Sequence, residues 1–311
     1  MIRLLESLLL LLLAAPTNAD LRYQLTPRQI APDTWLVEGA TENFSRANGG
    51  DIVNTAFVVT DAGVVVIDTG PSLQYGDALH DAIRAITDQP VVEVWLTHHH
   101  PDHTFGNQAF PERALAALPE TTEMLAEQGD AFADNMYRLV GDWMRGTEVT
   151  LPTRALEPGP LTVGHHDFRL YRFTGHTGAD LVILDETTGT LFAGDMVFFK
   201  RALTTPQTPG LTVWQDELDR LAAIPFRQLV PGHGPPVSDH RAFDQMHAYI
   251  DWLDDLLRDS AAQGRTANEV MTTPVPERFA DVDEAAYELI RTTTHLYPRY
   301  EQAALRLLPG E

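Results

Sequence analysis

From residue 34 onward, apolar positions fall into short runs separated by polar turns. Trp35-Leu36-Val37-Glu38-Gly39 predicts a short strand. Asn54-Thr55-Ala56-Phe57-Val58-Val59 and Val64-Val65-Val66-Ile67-Asp68 flank Asp61-Ala62-Gly63, which is a hairpin signal. The unbroken apolar run 64–67 suits a strand covered on both faces rather than one wetted on one side. Over 76–86 the period changes to that of a helix, with Ala78, Leu79, Ala82, Ile83 and Ile86 on one side. Residues 91–96 then predict another strand.

The second half repeats this plan. Residues 120–146 read as a helical insert carrying Met124, Leu125, Phe132, Met136, Tyr137, Leu139, Val140, Trp143 and Met144. That set suits either a core or a pair of helices capping a pocket. On the second reading Tyr137, Trp143 and Arg145 are the candidate substrate-pocket residues. Strands follow at 168–173, 180–185 and 189–193, a helix at 213–223 and a strand at 228–230. Two αβ halves, each with sheet inside and helix outside, predict an α/β fold of four layers, an αββα sandwich. Residues 239–260 and 283–296 predict a helical C-terminal tail, broken between them by Pro274 and Pro276. The expected organisation is one domain over 20–240 with a helical extension over 241–311 packed on it.

The N-terminus does not fit that plan. Arg3 precedes an apolar run over 8–15 and then Pro16-Thr17-Asn18-Ala19, the pattern of a secretory signal peptide cleaved after Ala19. The run is too short to span a bilayer comfortably. The expected mature protein is therefore periplasmic, without a stable membrane span. A net charge of −22 removes nucleic acid from the partners expected, because a phosphate-contacting surface must be basic.

The chemistry is concentrated in a few residues. Thr97-His98-His99-His100-Pro101-Asp102-His103 has the form His-x-His-x-Asp-His. Downstream, further metal-type residues each stand beside glycine, in Gly175-His176-Thr177-Gly178, Gly194-Asp195 and Gly232-His233-Gly234. Five imidazoles and two carboxylates suffice for two Zn²⁺ ions with a position left for water. A structural zinc needs four ligands and usually recruits thiolates, and the chain has no cysteine. His98 and His100 are two apart, so at a strand end they point to one side, while Pro101 forces a turn that sends Asp102 and His103 to the other. Asp68 follows a buried strand, where it either orients a metal-bound histidine or forms a turn. His80, His99, His165, His166, His240, His247 and His295 are set aside as non-ligands. The segment 43–51 is either a flap over the metals or a connecting loop.

This set, with Ile67-Asp68-Thr69-Gly70 ahead of it, resembles the metallo-β-lactamase superfamily over roughly residues 33–240. More narrowly, four segments outside the ligands resemble the quinoprotein relay system zinc metallohydrolases. These are Asn43-Phe44-Ser45-Arg46-Ala47-Asn48-Gly49-Gly50, Ala133-Asp134-Asn135-Met136-Tyr137, Gly141-Asp142-Trp143-Met144-Arg145-Gly146-Thr147-Glu148 and His295-Leu296-Tyr297-Pro298. The resemblance implies one metal on His98, His100 and His176, a second on Asp102, His103 and His233, and Asp195 bridging them. It also implies association with a periplasmic quinoprotein (PQQ) dehydrogenase system.

The expected reaction is hydrolysis of a small ester, lactone, thioester, lactam or phosphoester by a hydroxide held between two zinc ions, with Asp102 as catalytic carboxylate. The alternative is an accessory metal-binding protein of the quinoprotein system. Asp195 in place of a bridging cysteine argues against the cysteine-ligand β-lactamases. His176-Thr177-Gly178-Ala179-Asp180 departs from the His-Thr-x-Gly-His run of glyoxalase-like chains.

Overall fold

The computed structural model describes residues 21–306. The segment 1–19, expected to be a signal peptide, lies outside them. The first sheet holds β1 (Arg28–Ala31), β2 (Thr34–Val37), β3 (Thr55–Thr60), β4 (Gly63–Ile67), β5 (Val91–Trp95), β6 (Leu115–Ala117) and β7 (Arg154–Ala155), in that spatial order. It is antiparallel from β1 to β4 and parallel from β4 to β7. The second sheet runs β8 (Gly159–Val163), β9 (His166–Phe173), β10 (Asp180–Asp185), β11 (Thr190–Phe198) and β12 (Gln228–His233), with only the β11–β12 pair parallel.

Alternation along single strands builds the layers. In β4, Val65 and Ile67 face the second sheet and pack with Phe168, Leu181 and Ile183. Val64 and Val66 face outward onto Tyr75, Leu79 and Ile83 of α1 (Leu73–Arg84). In β10, Leu181 and Ile183 point inward, while Val182 and Leu184 face a helical layer. A period of two with both faces apolar is what a sheet buried between a helix layer and another sheet requires. The expected four-layer αββα sandwich is present. The hairpin expected at Asp61–Gly63 is a two-residue turn closed by Thr60 opposite Gly63.

The remaining helices cap and flank this core. A single turn, α2 (Pro101–Thr104), precedes α3 (Pro119–Val140), and a 3₁₀ turn at Gly141–Met144 completes the expected insert. On the outer face of the second sheet lie α4 (Leu211–Ala222) and α5 (Arg241–Ala262), then the short α6 (Ala267–Met271) and α7 (Ala285–Arg306). Leu253, Leu257, Leu289, Leu296 and Tyr297 join the core of that face, so the tail is packed onto the sandwich. The helical C-terminal region is as expected, but α7 continues through Pro298 rather than ending at Leu296. No helix among the described residues is long and apolar enough to cross a membrane.

Several short strands escape the periodicity. β6 and β7 span three and two residues, too few to show alternation. β8 contains Pro160, which is tolerated because β8 is an edge strand.

Candidate metal centre

All seven metal-type residues converge at one end of the sandwich. His98 and His100 are not on a strand end, because β5 stops at Trp95; they lie in the loop that follows, and His100 caps α2, which carries Asp102 and His103. His176 sits between β9 and β10, Asp195 within β11, and His233 at the end of β12. Every one is buried except His100, which is partly so. Two groups form, one of His98, His100, His176 and Asp195, the other of Asp102, His103 and His233, each with ligand-type atoms within 4.8 Å of one another.

Asp195 divides between them. Its Oδ2 lies 3.2 Å from His176 Nε2 and 3.8 Å from His98 Nε2. Its Oδ1 lies 3.2 Å from His103 Nε2 and 3.4 Å from His233 Nε2. Asp102 Oδ2 faces the second group, 3.3 Å from His233 Nε2 and 3.7 Å from His103 Nε2. Glycine makes this packing feasible. A Cβ on Gly232 would collide with Asp195 Oδ1, and Gly194 adopts a φ of 50° against the side chain of Thr97.

Each imidazole is held by its outer nitrogen. His103 Nδ1 donates to Asp68 Oδ2 at 2.7 Å, and His233 Nδ1 to the Ile52 carbonyl at 2.6 Å. His176 Nδ1 donates to the Thr204 carbonyl at 3.2 Å. Thr97 gives its hydroxyl proton to Asp68 Oδ2 at 2.8 Å, and its oxygen then accepts from His98 Nδ1 at 3.1 Å. His100 is reversed, with Nε2 donating to Gln207 Oε1 and Nδ1 inward, 2.8 Å from His176 Nε2. These acceptors fix the tautomers so that every inward nitrogen keeps a lone pair. His98 Nε2, His103 Nε2 and Asp195 Oδ1 are buried without a hydrogen-bond partner. Orphaned buried groups of this kind are costly, and five lone pairs facing two carboxylates fit divalent cations.

The electrostatics divide the donor set: burial favours neutral His98 and His176, while the carboxylates favour a proton on His103 and His233 that a cation must displace. Burial pushes the pKa of His98 and His176 well below that of an ordinary imidazole, which keeps them neutral. For His103, burial acts in the same direction but is outweighed by Asp195, Asp68 and Asp102, and the net shift is upward. Burial would raise Asp102, yet His103 and His233 bring it to about 2. Burial likewise opposes ionisation of Asp195, and His233, His103 and His176 reverse it. Both carboxylates are thus anionic.

Apart from Asp68, sequence reasoning left out the residues that hold this shell. Thr97 also donates its backbone N–H to Asp68 Oδ1 at 2.8 Å, so one residue orders Asp68, His98 and His103. Its place directly before the histidine run was the available signal. Asp180 braces the His176 loop, accepting from Gly175 N at 3.1 Å, Thr177 N at 3.0 Å and Thr177 Oγ1 at 2.7 Å. Burial lifts its carboxyl to about 6 against those bonds. Gln207 reaches His100 from 107 residues away and donates to Gln128 of α3 at 3.1 Å; no local pattern marks it.

The three pocket candidates stand apart from the cluster. Trp143 is core, packed with Met136, Val140 and Met144, and its Nε1 donates to the Arg46 carbonyl. Arg145 is exposed, pairs with Asp142, and lines a surface cavity of about 910 Å³ together with Tyr23, Gln74 and Asp77. Tyr137 is half exposed on α3. The residue of α3 that meets the site is Phe132, with its ring 5.8 Å from that of His100. Five residues on, the helix has turned by roughly 140°, which carries Tyr137 away. The segment 43–51 is a loop braced by Asn48, whose Oδ1 accepts from Ser45 N and Gly50 N.

A sandwich of this architecture, with imidazoles and carboxylates gathered at its loop end, defines a metallo-hydrolase. The chain belongs to the metallo-beta-lactamase superfamily, whose family profile matches residues 48–233, more than half of its length. It is 22% identical over 227 residues to "Probable metallo-hydrolase YqjP" of Bacillus subtilis (strain 168), covering 62% of this chain and 70% of that one. Its fold is similar to a metallo-beta-lactamase from Pontibacter korlensis, at 22% identity and TM-score 0.58, over 73% of this chain and 99% of the other. It is also similar to a beta-lactamase domain protein from Burkholderia ambifaria, at 18% identity and TM-score 0.63, over 91% of each chain. At these identities the structural likeness establishes the fold and leaves the substrate open.

Proposed function

We propose that the protein is an exported binuclear zinc hydrolase acting on a small ester, lactone, thioester, lactam or phosphoester. The observation that carries this reading is the division of Asp195 between the two groups, one oxygen to each. His98, His100 and His176 would hold one ion and Asp102, His103 and His233 the other, with Asp195 within reach of both groups. Zinc there supplies Lewis acidity toward a scissile carbonyl or phosphoryl oxygen and lowers the pKa of water into the neutral range.

The protein's own groups do the rest. Asp68, Thr97, Ile52, Thr204 and Gln207 fix the rings, so little reorganisation is needed when charge develops. Asp102, kept anionic by His103 and His233, orients the attacking water and takes its proton at a carboxylate oxygen. Burial of every ligand-type residue but His100 limits bulk water at the cluster.

A hydrolysis screen of zinc-loaded protein against one chromogenic substrate of each class tests this, with Asp102→Asn beside the parent. General acid–base assistance is typically worth about 10²–10⁴-fold, and a loss of that size with most of the zinc retained is expected. Activity within a few-fold of the parent at full zinc occupancy would leave Asp102 a structural ligand. If no class turns over even in the parent, the accessory role in a quinoprotein dehydrogenase system takes precedence. Export rests on the pattern over residues 1–19, and N-terminal sequencing of the protein from a periplasmic fraction should begin at Asp20.

A further inference from the structure

Two of the histidines set aside in the sequence come together at the opposite end of the sandwich. β4 runs from Gly63 to Ile67, with Asp68 just past its end and Asp61 just before its start. β10 likewise runs from Asp180, beside the His176 loop, to Asp185. At the Asp61 and Asp185 ends, the β8–β9 hairpin meets two turns of the first sheet. Asp33 lies between β1 and β2, Asp61 between β3 and β4, His165 in the β8–β9 turn and His166 at the start of β9. Gly164, in the hairpin turn at a φ of 58°, sits so close to Asp61 that a Cβ there would collide with its carboxylate.

His166 is poised as a ligand, and His165 stands beside it. His166 is buried, and its Nδ1 lies 3.0 Å from Asp185 Oδ2. Asp185 is buried too and held by Thr188 Oγ1 at 2.7 Å and Thr187 N at 3.0 Å. An ionised carboxylate only accepts, so Nδ1 carries the proton and Nε2 presents a lone pair. His165 Nδ1 stands 3.3 Å from Asp61 Oδ1 and accepts from the Asp61 backbone N–H at 3.3 Å. A cation on Nε2 would move the ring's proton to Nδ1, which would then turn from the Asp61 N–H to that carboxylate. Both Nε2 atoms then face one oxygen, Asp33 Oδ2, at 3.5 Å from His165 and 4.0 Å from His166. The first is at the long limit of a hydrogen bond and the second is beyond it. Two ligand atoms on one tetrahedral zinc, with bonds of about 2.0–2.2 Å, stand about 3.3 Å apart. All three ligand atoms lie within 4.8 Å of one another.

We propose that Asp33, His165 and His166 form a separate transition-metal site, with Asp61 and Asp185 holding the two imidazoles and solvent completing the coordination. Imidazole nitrogen with a carboxylate suits Zn²⁺ among common divalent ions. An ion there ties the second sheet's hairpin to two turns of the first sheet, so its role is to clamp the halves of the sandwich. Asp33 and His165 are exposed, so the ion exchanges more readily than one enclosed in the buried cluster.

The test is equilibrium dialysis against buffered free Zn²⁺, comparing the parent with the double variant Asp33→Asn/His165→Gln. Both substitutions are at exposed positions and leave the buried ligands untouched. The parent is expected to bind one more zinc per chain than the variant at the same free zinc. The same difference is expected in an Asp195→Ala background, so this result stands or falls independently of the hydrolase reading. Asp61→Asn, which removes a brace and not a ligand, should weaken zinc binding at this site without abolishing it. Equal zinc content in parent and double variant across the titration would overturn the proposal.

Discussion

Asp68 accepts the Nδ1 proton of His103 at 2.7 Å and so turns the opposite ring nitrogen toward Asp195. Asp68 itself sits at a φ of 59°, in a left-handed conformation, with both oxygens engaged by Thr97. A plain turn-forming aspartate would have no reason to be so held. Replacing a carboxylate that braces a metal-bound histidine typically costs about 10–100-fold in metal affinity. Asp68→Asn should show a loss of that size for one of the two ions, read by competition with a chelator of known affinity. Unchanged affinity for both ions would reduce Asp68 to a structural turn.

His98 and His233 belong to different groups and meet different oxygens of Asp195. His98→Ala and His233→Ala should therefore each lose one ion and keep the other. Cobalt substitution checks this, because the visible spectra of the two half-occupied proteins report different donor sets. Identical spectra and identical metal loss would contradict the split.

Asp51 offers a pH test away from the metals. Burial lifts its carboxyl from an ordinary 3.8 to about 6, and its Oδ1 is buried without a hydrogen-bond partner. Between those two values the folded chain keeps a proton that the unfolded chain has released, so stability falls as pH rises through the window. Above it the cost is constant. Asp51→Asn carries no charge at any pH and should be more stable than the parent at pH 7–8. Two pK units correspond to on the order of 2–3 kcal/mol. Urea unfolding should show this gap closing near pH 4; a gap of the same size at both pH values would contradict the assignment.

The layers were legible because β3, β4 and β10 carry continuous apolar runs, and β5 and β11 are largely apolar, and these strands lie in the two central sheets. The metal-type residues were legible because each is flanked by glycine or packed into one short run, and the structure does bring all seven together. Where the reading fell short, the information was not local. Gln207 meets His100 only through tertiary folding, and the carbonyls of Ile52 and Thr204 act through backbone that carries no residue signature. Trp143 was ambiguous in principle, since an amphipathic stripe reads the same whether it faces a core or a pocket. His165 and His166 were passed over because Asp33, Asp61 and Asp185 are distant in sequence and share no motif with them.

The central claim is a pair of ions sharing Asp195, and the zinc retained per chain after passage over a chelating resin tests it most directly. The resin strips the exposed site at Asp33 and His165 and spares ions enclosed by buried ligands. The parent should retain two zinc ions per chain. Asp195→Ala should lose its hold on both together, because one carboxylate contacts both groups. A parent retaining one ion or none, or an Asp195→Ala variant that still retains two, would contradict the account.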